Sequence, residues 1–259
     1  MSDPTGRHPA DPQDEAPQPT ENPGHPTDVT ASHPLAEIPR PFTREAMNAM
    51  EQEIKDGILR MGSMVAERHT AAVVALEEHD EEGALAIIRS DDSLNDELEA
   101  VSNLVAQTIV KEQPVARDLR FLMALDHVAY ELERMGDHAS SVAKQARKLA
   151  PRAPLPPQSR LAELGRMVVQ QVRDILTVVV EVDEARAREI AARDDDVDEL
   201  YHAIFDETLE AMREDPANVD GGARILFAAH YLERTGDRVT NIAEDIVFLS
   251  TGEVEDLNQ

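Results

Sequence analysis

Cysteine and tryptophan are absent from this 259-residue chain, and five phenylalanines and three tyrosines are its whole aromatic complement. Without cysteine there is no disulfide, thiol nucleophile or thiolate metal ligand. Aromatics this sparse disfavour base-stacking platforms and most β-sandwich cores. No stretch approaches the roughly eighteen uninterrupted apolar residues that read as a membrane-spanning helix. The N-terminus carries no apolar segment behind a basic one, so no secretory signal is expected. Positive charge is also scarce: 25 Lys and Arg stand against 52 Asp and Glu, a net charge of −27. A surface of that sign repels phosphate backbones and excludes a nucleic-acid partner. The expectation is a cytoplasmic helical protein.

Ten of the sixteen prolines fall within residues 1–41. Proline removes a backbone donor and fixes φ, so this density prevents helix or sheet ladders. Few large apolar residues are present there to offset the entropy of ordering, and the segment reads as a disordered tail. It holds seven acidic and two basic residues, which leaves −22 on residues 42–259. The acidity is therefore a property of the folded body. Removing residues 1–40 is expected to leave the melting temperature almost unchanged. A loss of several degrees would show that the tail docks on the fold.

From Phe42 the chain reads as long helices. Met47, Met50, Ile54, Ile58, Met61 and Val65 recur at three- and four-residue intervals, forming one apolar stripe of a bundle helix. That helix is expected from an N-cap at Thr43 towards His79. A second is expected over 84–113 and a third over 115–149, with Pro114 between them. The run Pro151 to Pro157 is a break. Three more helices follow over 158–182, 183–213 and 217–249. No segment alternates with period two. The expected fold is all-α: two tandem three-helix bundles, residues 42–150 and 158–253, joined by linker 151–157 and followed by a C-terminal tail over 254–259.

An internal repeat supports the division. Leu132 to His138, LERMGDH, returns as Leu232 to Arg238, LERTGDR. Ser141-Val142-Ala143-Lys144 matches Asn241-Ile242-Ala243-Glu244. Upstream, the acidic cluster from Asp91 to Asn95 resembles that from Asp194 to Asp198. Glu133 and Asp137 are four apart and share a helix face, as do Glu233 with Asp237 and Asp194 with Asp198. Like charges at that spacing repel by a few tenths of a kcal/mol, so an arrangement made twice asks for compensation. One solution is a hard or borderline divalent cation, or a small iron cluster, held between two facing helices. The other is ordinary ion pairing, because Arg134 and Arg234 each lie three residues before the aspartate. Gly136 and Gly236 would allow close helix approach.

An enzymatic reading fares less well. Carboxylate-bridged di-iron sites need Glu-x-x-His on each of two helices. Glu199 and His202 form one such pair, and no second copy exists. Asp220-Gly221-Gly222 lacks the lysine and the spacing of a phosphate loop. The chain is therefore read as a non-enzyme.

These residues resemble the PhoU family of phosphate-specific transport system accessory proteins. The duplicated LERxGD blocks carry the likeness, with the segment QPVARDLR from Gln113 to Arg120 and YLERTGDRVTNIAE from Tyr231 to Glu244. It extends over about Phe42 to Glu253. The resemblance implies a homodimeric, all-helical cytoplasmic regulator that represses the phosphate-starvation response. Such a protein acts between the ATPase subunit of the phosphate importer and a sensor histidine kinase. A transporter modulator without kinase signalling is the alternative. Some members hold multinuclear iron or zinc at paired E/DxxxD motifs, and others are metal-free.

Carried over, the motifs are Glu133 with Asp137, Glu233 with Asp237, and Asp194 with Asp198. The first repeat departs from the pattern. Asn95 stands behind Leu94 where the family usually has Asp, and the nearest pair, Asp92 and Asp96, is turned about 100° round the helix. Ser141 and Lys144 replace an Asn and a Glu, and Lys144 brings positive charge to the same face as Asp137. The second repeat is the better metal candidate.

Overall fold

The computed structural model describes residues 44–90 and 92–258. The segment 1–41 and the N-cap expected at Thr43 lie outside the described residues. Helices occupy α1 (Arg44–Glu78), α2 (Glu81–Arg89), α3 (Asp92–Glu112), α4 (Arg117–Leu149), α5 (Gln158–Glu181), α6 (Glu184–Ala191), α7 (Asp194–Glu214) and α8 (Val219–Thr251). A 3₁₀ turn, Pro216–Asn218, leads into α8. No strand occurs among the described residues. Six of the helices are long, three in each repeat, as the periodicity predicts.

The middle helix of each repeat differs from expectation. Instead of running unbroken over 84–113 and 183–213, it is divided into α2 and α3 and into α6 and α7. In the first repeat α2 ends at its C-cap Ser90 and α3 starts at Asp92; in the second, α7 starts at Asp194-Asp195-Asp196. Short Ser and Asp side chains compete for backbone groups, which favours helix starts over helix interiors. The three aspartates in the first turn of α7 also complement its positive N-terminal dipole.

The repeat extends to details that no motif marks. His79 and Val182, after α1 and α5, both adopt left-handed backbone, with φ of 55° and 53°. Each is followed by an N-capping aspartate. Asp80 Oδ1 accepts from Gly83 N at 2.9 Å, and Asp183 Oδ1 accepts from Arg186 N at 3.1 Å. One such cap contributes about 1 kcal/mol.

Contacts fix how the helices run. Asp126 pairs with Ser102 while Gly136 meets Leu94, so α3 and α4 are antiparallel. Gly62 receives Leu176 and Gly165 receives Val73, so α1 and α5 cross antiparallel through reciprocal notches. His127 bonds Asp245 and Glu131 meets Arg238, so α4 and α8, the two LERxGD helices, are antiparallel neighbours. The repeats are thus fused. The described residues form one compact unit, and its buried side chains make one continuous core drawn from both repeats. The last residues are fastened to the second repeat. Arg188 pairs with Glu255 at 2.8 Å, and Leu257 N donates to Glu244 Oε1 at 2.9 Å. No helix among the described residues is long and apolar enough to cross a membrane.

Candidate metal centre

The second repeat brings its four sequence-identified carboxylates together. Asp194 opens α7, with Asp198 one turn on, while Glu233 and Asp237 lie one turn apart on the antiparallel α8. Asp194 is buried and the other three are half-buried. Burial, then the charges of Asp198 and Asp237, push the Asp194 carboxyl up to about 7. Burial, then Asp237, push Glu233 to about 7 against the opposing pull of Arg234. Asp198 is raised by burial and by Asp237. The Tyr201 hydroxyl is raised by burial and by the charges of Glu233 and Asp198.

Positive charge near the cluster is limited. The i,i+3 pair offered by the sequence is present, Arg234 to Asp237 at 2.7 Å, and His230 approaches Glu233 at 3.5 Å. Arginine pairing therefore accounts for one carboxylate of the four. Thr240 hydrogen-bonds Asp194, yet Asp194 Oδ2 is buried with no hydrogen-bond partner among the described residues. Gly236 explains how the helices come so close. A Cβ there would stand 2.7 Å from Asp194 Oδ1 and 3.6 Å from Gln171 Oε1. Gln171 comes from α5, is buried, and its Oε1 also lacks a hydrogen-bond partner among the described residues. The motif did not reveal this amide, because a single buried glutamine carries no periodic signal.

The cluster is open as it stands. Among the described residues, no three His, Asp or Glu side chains converge at metal-holding distance. The donors still fit a hard or borderline cation, since they are oxygens with surplus negative charge and an orphaned buried carboxylate atom. Asp194, Asp198, Glu233 and Asp237 would hold it.

The first repeat is built differently. Asp137, Asp96 and Asn95 are exposed, and Glu133 is half-buried. Asp92 opens α3, and its side chain lies outside the described residues. Over Gly136 sit Leu94 and the Arg68 guanidinium, with Nη1 3.5 Å from where a Cβ would stand. Lys144 is exposed. The remaining sequence candidates are peripheral. Glu199 and His202 are exposed, and His202 Nδ1 is spent on the Asp198 carbonyl at 2.7 Å.

A second polar cluster lies between the repeats. Glu131 on α4 meets Arg238 at 3.3 Å and His127 at 3.4 Å, while His127 Nδ1 lies 2.6 Å from Asp245. The bond to Asp245 raises the His127 imidazole, and burial raises Asp245 despite it. Nearby, His69 is fully enclosed and lies 2.9 Å from the Met135 carbonyl, and burial lowers it to about 4.

A duplicated three-helix fold with facing carboxylate pairs on the second and third helices defines a class of helical repeat protein. The PhoU domain matches residues 58–146 and 161–246, and the chain belongs to the PhoU family. A Clostridium acetobutylicum protein named "Phosphate-specific transport system accessory protein PhoU homolog" is 38% identical over 84% of this chain and 100% of its own. A Streptococcus pneumoniae protein of the same name is 31% identical over 80% of this chain and 95% of its own. The crystal structure of PhoU from Pseudomonas aeruginosa aligns with a TM-score of 0.77 at 30% identity, covering 80% of this chain and all of that one. That of the phosphate transport system regulatory protein PhoU from Streptococcus pneumoniae gives 0.75 at 29%, covering 81% and 99%.

Proposed function

We propose that this chain is an accessory protein of a phosphate-specific transport system and a negative regulator of the phosphate-starvation response. It works as a non-catalytic adaptor between the ATPase subunit of the phosphate importer and a sensor histidine kinase. The reading rests on one observation above the rest: relatives named for that accessory role match almost end to end, across both repeats. In this reading the protein is a cytoplasmic homodimer that reaches the membrane only through partners. The −22 on its body favours basic partner surfaces and speeds their encounter. Deleting the gene should raise alkaline-phosphatase-type reporter output in excess phosphate, and restoring it should lower that output. Unchanged output would remove the repressor role and leave transporter modulation.

A second reading concerns the carboxylates. We propose that the second repeat binds iron or zinc through Asp194, Asp198, Glu233 and Asp237, a reading supported by the orphaned Asp194 oxygen. Bound there, the cation neutralises their charge and ties α7 to α8.

A further inference from the structure

We infer that one position on the first helix of each repeat decides whether that repeat accepts a divalent cation: Gln171 admits it in the second, and Arg68 excludes it from the first. The inference rests on the reading of the second repeat as a metal site and assigns a role to two residues outside the acidic motifs.

The two positions correspond. Gly62 on α1 and Gly165 on α5 occupy matching notches between the repeats, and the same displacement carries Arg68 onto Gln171 and the cluster at Asp91 onto that at Asp194. Each side chain also reaches the same place, the glycine of its repeat's LERxGD block. Over Gly236, Gln171 Oε1 lies 3.6 Å from the Cβ position, beside Asp194 Oδ1 at 2.7 Å. Over Gly136, Arg68 Nη1 lies at 3.5 Å.

Their chemistry is opposite. Gln171 is 4% exposed, and its oxygen has no donor among the described residues. A buried amide oxygen left so is costly, and a cation beside Asp194 satisfies it without adding negative charge. Arg68 is 8% exposed and already engaged. Its guanidinium donates to the Ser90 carbonyl at the end of α2 and, at 3.2 Å, to Ser93 Oγ in the first turn of α3. A guanidinium cannot give up its proton in a protein, so it is a resident cation. It supplies in the first repeat the charge that the second leaves to a metal.

The test titrates Zn²⁺ into the full-length, chelator-stripped protein, reading stoichiometry by elemental analysis and the zinc-dependent rise in melting temperature. Wild type should bind zinc and gain stability. Asp137→Ala should leave both readings unchanged. Gln171→Arg should abolish them with helicity intact, and Gln171→Met should weaken zinc binding about tenfold, the order seen when groups supporting a metal site are lost. Should Gln171→Arg fail to fold, Gln171→Met decides alone. Wild-type affinity in Gln171→Met, or zinc lost in Asp137→Ala, overturns the inference while the metal reading stands. No zinc-dependent change in wild type overturns the metal reading and this inference with it.

Discussion

Replacing Arg238 with methionine is expected to destabilise the metal-free protein by about 3–5 kcal/mol, as when one member of a buried ion pair is removed. For a chain of this size that lowers the melting temperature by roughly 10 °C. The Glu131 side chain is 5% exposed and that of Arg238 is 19%, so water cannot replace the guanidinium for the carboxylate it leaves behind. His127 remains 3.4 Å from Glu131, but it already serves Asp245 at 2.6 Å and cannot carry two acids with one charge. The double variant Glu131→Met/Arg238→Met should recover most of the loss, because two apolar groups of similar volume remove the stranded charge. Thermal or chemical unfolding of the two singles and the double measures the coupling. A single-variant cost below about 1 kcal/mol would place the pair among solvated surface bridges. The pair joins α4 to α8, so the experiment also reports how strongly polar contacts hold the repeats together.

The sequence signals what recurs and hides what joins. Apolar spacing along Met47 to Val65 and the two LERxGD blocks predict long helices in duplicate, and the structure has them. The pairing of the second-repeat carboxylates was legible too, since residues at i,i+4 share a helix face, whereas the meeting of the two faces depends on how α7 and α8 pack. The end of α2 at Ser90 was written in a cap-forming residue, but the apolar positions on either side mask it. Gln171 and Arg68 were not legible, because a single buried polar side chain has no period and its meaning depends on which glycine it covers. The His127–Asp245 and Glu131–Arg238 contacts were hidden for another reason. They join different positions of the two repeats, so self-comparison aligns neither residue with its partner. The first-repeat departures at Asn95 and Lys144 pointed to a weaker site; the structure adds the Arg68 guanidinium over Gly136.

Gly165→Ala is expected to destabilise the fold by about 2 kcal/mol through overpacking, although alanine is the better helix former by about 1 kcal/mol. The sign is decided by Val73, whose Cγ2 already fills the space that a Cβ on Gly165 would take. Val73 is 3% exposed and β-branched, so it has one stiff rotamer and no room in which to use another. The alanine must therefore push α1 and α5 apart, and that crossing is one of the places where the two repeats share their core. Gly62→Ala makes the mirror-related change against Leu176. Leu176 Cγ would lie 2.8 Å from that Cβ, and turning about χ2 leaves Cγ in place, so the cost there should be at least as large. Combining Gly165→Ala with Val73→Ala should cost at least about 1 kcal/mol less than the two singles summed, as expected for side chains in contact. Denaturant unfolding at constant m-value gives all of these quantities. Stabilisation by Gly165→Ala would mean that α1 and α5 can separate freely, and that the reciprocal notches do not set the spacing between the repeats.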